Sequence, residues 1–212
     1  MSNRHGDGMN KAKSLPEAAP GAASSQASSQ APSAASGQAS SAAHVRRDPE
    51  RLQIRRMCPE DLDEVMSIEQ AVYPFPWSRG NFSDSLLAGH DAWRFDDESG
   101  RMIGYAVLMW APDEIHLLNL SVAGACQGRG LGERLLRWLA EEAHRRGAPA
   151  LLLEVRPSNP VALRLYERVG MSRIGLRRGY YPSTGRRRED AVVMRCPLPL
   201  AAPPTSRSGT GA

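Results

Sequence analysis

Apolar and polar residues alternate over Leu52-Gln53-Ile54-Arg55-Arg56-Met57, which predicts a strand. Pro59 with Glu60 and Asp61 behind it opens a helix, and Leu62, Val65, Ile68 and Val72 recur along it as a stripe. Tyr73-Pro74-Phe75-Pro76-Trp77 cannot continue a helix, and Ser78 is placed to cap a short one running to Leu87. Residues 92–97 and 101–110 flank Ser99-Gly100 as a hairpin, and residues 114–122 form the next strand. A glycine-rich stretch, 124–132, then leads into Leu131, Leu135, Leu139 and Ala143, which recur every four residues and predict a helix starting at or near the glycines. Residues 150–155 read as a strand. Asn159-Pro160 gives a cap followed by proline at a first helical position, for a short helix over 161–169 ended by Gly170. Residues 171–176 and 191–196 finish as strands around a polar loop, 180–190. The order β-α-α-β-β-β-α-β-α-β-β places helices between strands and predicts an α/β fold, a mixed and mostly antiparallel sheet flanked by helices.

Composition then sets the limits of the folded unit. From Ala18 to Ala43 every residue is Ala, Ser, Gln, Pro or Gly, too little apolar surface to offset the entropy of ordering. Residues 1–50 are therefore expected to be a disordered low-complexity tail, residues 52–198 a single folded domain, and residues 199–212 a flexible C-terminal tail. The start, Met1-Ser2-Asn3-Arg4-His5-Gly6-Asp7, has no apolar segment behind its charge, and no apolar run approaches the roughly 20 residues that span a bilayer. Three cysteines without a C-x-x-C pair argue against a disulfide framework and a zinc site. The expectation is a cytoplasmic protein with no membrane and no metal. Lys+Arg exceed Asp+Glu by 27 to 23, and the tail supplies part of that excess, so no direct nucleic-acid partner is expected.

Gln127-Gly128-Arg129-Gly130-Leu131-Gly132 lies between a strand and a helix, where unpaired first-turn N–H groups and the helix dipole favour an anion such as phosphate; the alternative is a glycine-rich turn with no ligand. Two phosphate motifs are excluded. There is no Gly-Lys-Ser/Thr, and the third glycine of a dinucleotide fingerprint is misplaced.

Gln-x-x-Gly-x-Gly in that setting resembles the acyl-CoA pyrophosphate loop of the GNAT family of N-acetyltransferases, whose fold has the same order of elements. The likeness covers the whole core. It runs furthest with those members that acetylate the N-terminal alanine of a small-subunit ribosomal protein, through Phe75-Pro76-Trp77-Ser78, Leu118-Asn119-Leu120-Ser121-Val122, the glycine loop, Leu153-Glu154-Val155-Arg156 with Ser158-Asn159, Leu165-Tyr166-Glu167, and Tyr180-Tyr181-Pro182 on to Arg188-Glu189-Asp190-Ala191. The resemblance implies acetyl-CoA as co-substrate. It implies that Leu120, Ser121 and Val122 hold the acetyl and pantetheine portion through their backbone, that Gly128, Arg129, Gly130, Leu131, Gly132 and Glu133 hold the pyrophosphate, and that Asn159 bonds the CoA arm. It makes Glu154 the proton acceptor and Tyr166 the proton donor, with the amine of a ribosomal protein's N-terminal peptide attacking directly in a ternary complex.

Those roles suit the residues. Acetyl transfer needs a neutral amine and a proton for the departing thiolate, and Glu154 is the one acid in an apolar strand, where burial would raise its pKa. An ion pair with Arg156 on the same face is the alternative for Glu154, and helix-to-sheet packing the alternative for Tyr166. An α-amine of pKa about 7.7–8.0 is roughly 10–15% neutral at pH 7, against well under 0.1% of a lysine of pKa about 10.4. Asp113 and Glu114 could attract a basic peptide or merely lie in a solvated loop. The segments 73–77 and 180–181 could wall an extended peptide. His116 is an accessory base or a satisfied sheet histidine, and Arg173, Arg177, Arg178, Arg186, Arg187 and Arg188 form either a basic strip for RNA or the CoA 3′-phosphate or a solvated face. Lysine or small-amine acetylation, or a non-catalytic CoA-binding module, are the competing functions.

Overall fold

In the computed structural model, residues 46–47, 52–184 and 188–201 are described, the first two by backbone alone. Eight strands make one sheet: β1 (Arg46–Arg47), β2 (Gln53–Arg56), β3 (Asp91–Asp96), β4 (Met102–Ala111), β5 (Glu114–Val122), β6 (Ala150–Val155), β7 (Ser172–Tyr181) and β8 (Glu189–Pro197). Their spatial order is β1-β2-β3-β4-β5-β6-β8-β7, and every pairing is antiparallel except that of β5 with β6. This is the mixed, mostly antiparallel sheet expected from the order of elements.

Helices α1 (Leu62–Val72) and α2 (Arg79–Leu87) pack on one face, where Leu62, Val65 and Phe82 meet Tyr105 and Val107. Helices α3 (Leu131–Arg145) and α4 (Pro160–Arg168) cover the other. There Leu135, Leu136, Leu139 and Leu163 pack against Ile115, Leu117, Leu151, Leu153 and Met194. Ser78 and Asn159 cap α2 and α4 by accepting the N–H of Asn81 and Ala162. Pro59 opens one 3₁₀ turn, and the α-helix proper begins at Leu62. Asp61 ends that turn and anchors it. Its carboxylate takes both guanidinium nitrogens of Arg55 at 2.8 and 2.6 Å and one from the buried Arg94 at 2.9 Å, and Arg94 also binds Asp96 and Glu64. Burial pushes the Asp61 carboxyl upward, but the Arg55 guanidinium and the Cys58 N–H and thiol outweigh it and hold the group at about 2.

What positions the site is a local failure of strand pairing. β5 and β6 pair only over Ile115↔Leu151, His116↔Leu152 and Leu117↔Leu153. Opposite β4, Leu108 faces Leu117 while Val107 faces Asn119, so Leu118 is an extra residue that bulges β5. A bulge bends and twists its strand. Leu118–Val122 thus leave β6, and the β5 backbone on that side is released from the ladder.

Two strands differ from expectation. β7 continues to Tyr181, because Arg177↔Ala191 and Tyr181↔Glu189 pair it with β8; its run of arginines and glycines lacks the alternation that marks a strand. Arg46–Arg47 pair with Ile54 and Gln53, inside the stretch expected to be tail. The rest of residues 1–51, residues 185–187 with Arg186 and Arg187, and residues 202–212 lie outside the described residues. No helix among the described residues is long and apolar enough to cross a membrane.

Candidate active site

The glycine loop closes one end of the gap between β5 and β6. Gln127 donates its side-chain amide to Val122 O at 2.9 Å, which fastens the loop to the strand end. Gly128 and Gly130 have φ of 75° and 78°, a region open to glycine, and their absent side chains face free space. Gly130 forms the N-cap of α3. The N–H groups of Glu133 and Arg134 turn back to Gly130 O, whereas Leu131 and Gly132, first in the helix, have no carbonyl a turn behind them. A Cβ on Gly132 would stand 3.4 Å from a Leu165 methyl, an ordinary contact between α3 and α4. The Glu133 carboxylate is held by Arg137 and Arg168 at 2.9 and 3.4 Å.

Along the gap, Leu120, Ser121 and Val122 carry the released β5 backbone. The Leu120 carbonyl accepts the Tyr73 hydroxyl at 2.9 Å. Ser121 Oγ is buried beside the hydroxyls of Tyr73 and Tyr105 but makes no hydrogen bond of normal geometry. The β5 backbone left without a β6 partner at 120–122 offers N–H and carbonyl groups of the kind that CoA amides need, and the open first-turn N–H groups of Leu131 and Gly132 suit a pyrophosphate. Asn159 spends Oδ1 on capping α4.

Glu154 stands on β6 just past the point where β5 leaves. Its side chain is 9% exposed, and Oε1 lies 3.2 Å from Nη1 of Arg177 on β7. Its ion-pair partner is therefore Arg177. Arg156, the partner expected from spacing, turns to Glu189 at 3.0 Å. The Tyr181 hydroxyl donates to Glu154 O at 3.0 Å, and Tyr180 packs edge-on against Tyr181 with ring centroids 4.8 Å apart. Tyr166 projects from α4 into the core. Burial, followed by the neighbouring Tyr73 phenol, drives its pKa above the ordinary tyrosine value, so the hydroxyl stays a donor at neutral pH.

Sequence reading missed Glu69. It is fully buried on α1, where its carboxylate accepts the Trp77 N–H at 2.7 Å, the Tyr105 hydroxyl, and the Asn119 amide at 3.4 Å. Burial raises its pKa despite those donors. The signal was present: Leu62, Val65, Glu69 and Val72 step at helical spacing, which puts an acid on the apolar stripe. Two other polar residues have structural partners. His116 Nε2 meets Glu114 at 2.9 Å, and Glu114 also binds Arg195 at 2.9 Å, so neither is free for substrate. Of the basic strip, Arg173 pairs with Glu167 and Arg177 with Glu154.

With this geometry in place, comparison with known proteins is direct. The family model "Acetyltransferase (GNAT) family" matches residues 62–171. The [ribosomal protein bS18]-alanine N-acetyltransferase of Escherichia coli K12 is 38% identical over 141 residues, 66% of this chain and 93% of that protein. The corresponding Haemophilus ducreyi protein is 35% identical over 141 residues, 66% of this chain and 97% of its own length. The crystal structure of the ribosomal-protein-S18-alanine N-acetyltransferase from Escherichia coli superposes with a TM-score of 0.64 at 36% identity, covering 71% of this chain and 96% of that one. This chain belongs to the acetyltransferase (GNAT) family and is an acetyl-CoA-dependent N-acetyltransferase.

Proposed function

We propose that the chain acetylates the α-amine of a protein N-terminus, with the N-terminal alanine of ribosomal protein bS18 as substrate, and that residues 52–198 are the acetyltransferase domain of a cytoplasmic enzyme. The observation that carries the reading is Glu154: a nearly buried carboxylate on β6 just past the point where β5 leaves, paired with an exposed arginine, its backbone carbonyl bonded to Tyr181. That is a place for an extended peptide to present its first residue.

Acetyl-CoA supplies an activated acetyl thioester. Leu120, Ser121 and Val122 orient it through the released β5 backbone, and Gly128, Arg129, Gly130, Leu131, Gly132 and Glu133 form the pyrophosphate end, with Asn159 on the CoA arm. Glu154 receives the amine proton, directly or through one water, and Tyr166, kept protonated by burial, donates to the leaving sulfur. One carboxylate suffices because an α-amine with a pKa of about 7.7–8.0 is already partly neutral at pH 7. Arg177, which lies 3.2 Å from Glu154 and 5.5 Å from the Tyr180 ring centroid, must yield its place on the carboxylate as the amine arrives.

The test is CoA release with two peptides of one sequence beginning Ala-Arg, one with a free α-amine and one N-terminally blocked with an internal lysine. Turnover confined to the free-amine peptide is expected. Turnover on the blocked peptide would replace the reading with lysine acetylation, and turnover on neither would leave small amines or CoA binding without transfer.

A further inference from the structure

Arg156 follows Glu154 by two residues, and strand alternation puts the pair on one face. Its guanidinium nevertheless pairs elsewhere than with Glu154. It donates to Pro182 O at 2.8 Å and to Glu189 Oε2 at 3.0 Å. Glu189 is itself fixed, since it accepts the Ser158 N–H at 2.8 Å and the Ser158 hydroxyl at 3.0 Å. Held there, the guanidinium carbon lies 4.2 Å from the centroid of the Tyr181 ring and 5.2 Å from that of Phe75. Phe75 belongs to the turn between α1 and α2, and Tyr181 ends β7. The two come from opposite parts of the chain and supply the two sides of the peptide cleft.

An ion pair with Glu189 would be served equally by lysine. Contact with two rings at once needs the flat, weakly hydrated guanidinium. Tyr181 also ties this arrangement to the reacting centre, because its hydroxyl is bonded to the Glu154 carbonyl. We propose that Arg156 is a positioning residue that fixes the spacing of the two cleft walls, and that it thereby sets affinity for the N-terminal peptide without affecting acetyl-CoA. The proposal rests on the peptide-cleft reading above.

The variant Arg156→Lys keeps the charge and the Glu189 partner and removes the planar face. Two measurements on the full chain test it: amide hydrogen exchange of the substrate-free protein, and steady-state kinetics with the free-amine Ala-Arg peptide. Exchange should quicken in residues 73–77 and 180–184 together while residues 127–132 stay unchanged. The peptide KM should rise about ten-fold, with the acetyl-CoA KM and the melting temperature held. Phe75→Leu should raise the peptide KM by itself and leave little for Arg156→Lys to add. Unchanged exchange in either wall overturns the proposal whatever the activity. So does an unchanged peptide KM, or a parallel fall in acetyl-CoA affinity and melting temperature, which would mark general loosening. Wild-type protein inert toward N-terminal peptides would instead sink the functional reading, and the exchange data would still decide whether Arg156 couples the walls.

Discussion

Glu154 and Arg177 form an unequal pair: the carboxylate is 9% exposed and the guanidinium 42%. The cation can leave and the anion cannot, which suits a carboxylate that must receive a cationic or neutral amine. Glu154→Gln should lower kcat by about 10²–10⁴ and leave the acetyl-CoA dissociation constant unchanged, the size usual for one acid–base group; steady-state kinetics and calorimetry separate the two. Equal turnover would remove Glu154 from the mechanism. Tyr166→Phe should lower kcat on the order of 10². Because burial lifts the Tyr166 pKa above the ordinary value of about 10, its proton is present throughout the neutral range. The rate of the wild-type enzyme should therefore not decline between pH 7 and 9, and a decline lost in Tyr166→Phe would contradict the placement. At this scale the sequence was informative about residue types and blind to partners. It marked Glu154 as the acid in an apolar strand, but the choice between Arg156 and Arg177 depends on where β7 lies. It passed over Glu69 although helical spacing sets that acid on the apolar stripe of α1; its partners Tyr105 and Asn119 arrive only with β4 and β5.

Among the elements, the glycine loop and the first turn before α1 carry the clearest consequences. Gly130 has a φ of 78° with open space where a side chain would go, so Gly130→Ala adds backbone strain and no clash. It should cost about 1 kcal/mol of stability and raise the acetyl-CoA KM while the peptide KM stays put, read from urea unfolding and from kinetics with each substrate varied. Asp61 tests the anchor of α1. Removing it leaves Arg94 short of one buried counter-charge, and Asp61→Asn should cost roughly 2–4 kcal/mol at pH 7. Held at about 2 when folded and near 3.9 when unfolded, Asp61 contributes its stabilisation fully above about pH 4 and loses it as pH falls toward 2. The gap between wild type and Asp61→Asn in urea midpoint should accordingly narrow between pH 5 and pH 2.5. Most elements were legible because caps and periodicity are local: Ser78, Asn159-Pro160 and the four-residue leucine spacing of α3 need no distant partner. β7 was cut short because its latter half is held by β8 and has no alternating pattern of its own.

For the whole molecule, the site is a seam. Acetyl-CoA would touch β5, the start of α3 and the start of α4, three elements that unfolding separates. Saturating acetyl-CoA, at about 100 times its dissociation constant, should therefore stabilise the fold by about 2.7 kcal/mol and raise the melting temperature by roughly 5–10 °C. The same rise in Glu154→Gln would show that binding and proton transfer are separable, and no rise would count against binding along 120–132.

The amino-acid sequence by itself determined the order of helices and strands, the caps and the glycines that admit an anion, because each follows from propensity, backbone freedom or chemistry within a few residues. Glu154 and Tyr166 were singled out by family resemblance, and their local settings left an ion pair and core packing open. Tertiary structure alone decided that β5 and β6 part after Leu117 and Leu153, that Arg177 covers Glu154, that Glu69 takes Tyr105 and Asn119 as partners, and that Arg156 reaches both Phe75 and Tyr181. Those facts depend on a one-residue bulge and on pairings between segments as far apart as Phe75, Arg156 and Tyr181. No local pattern encodes them, since the energy that fixes each belongs to the contact and not to either residue.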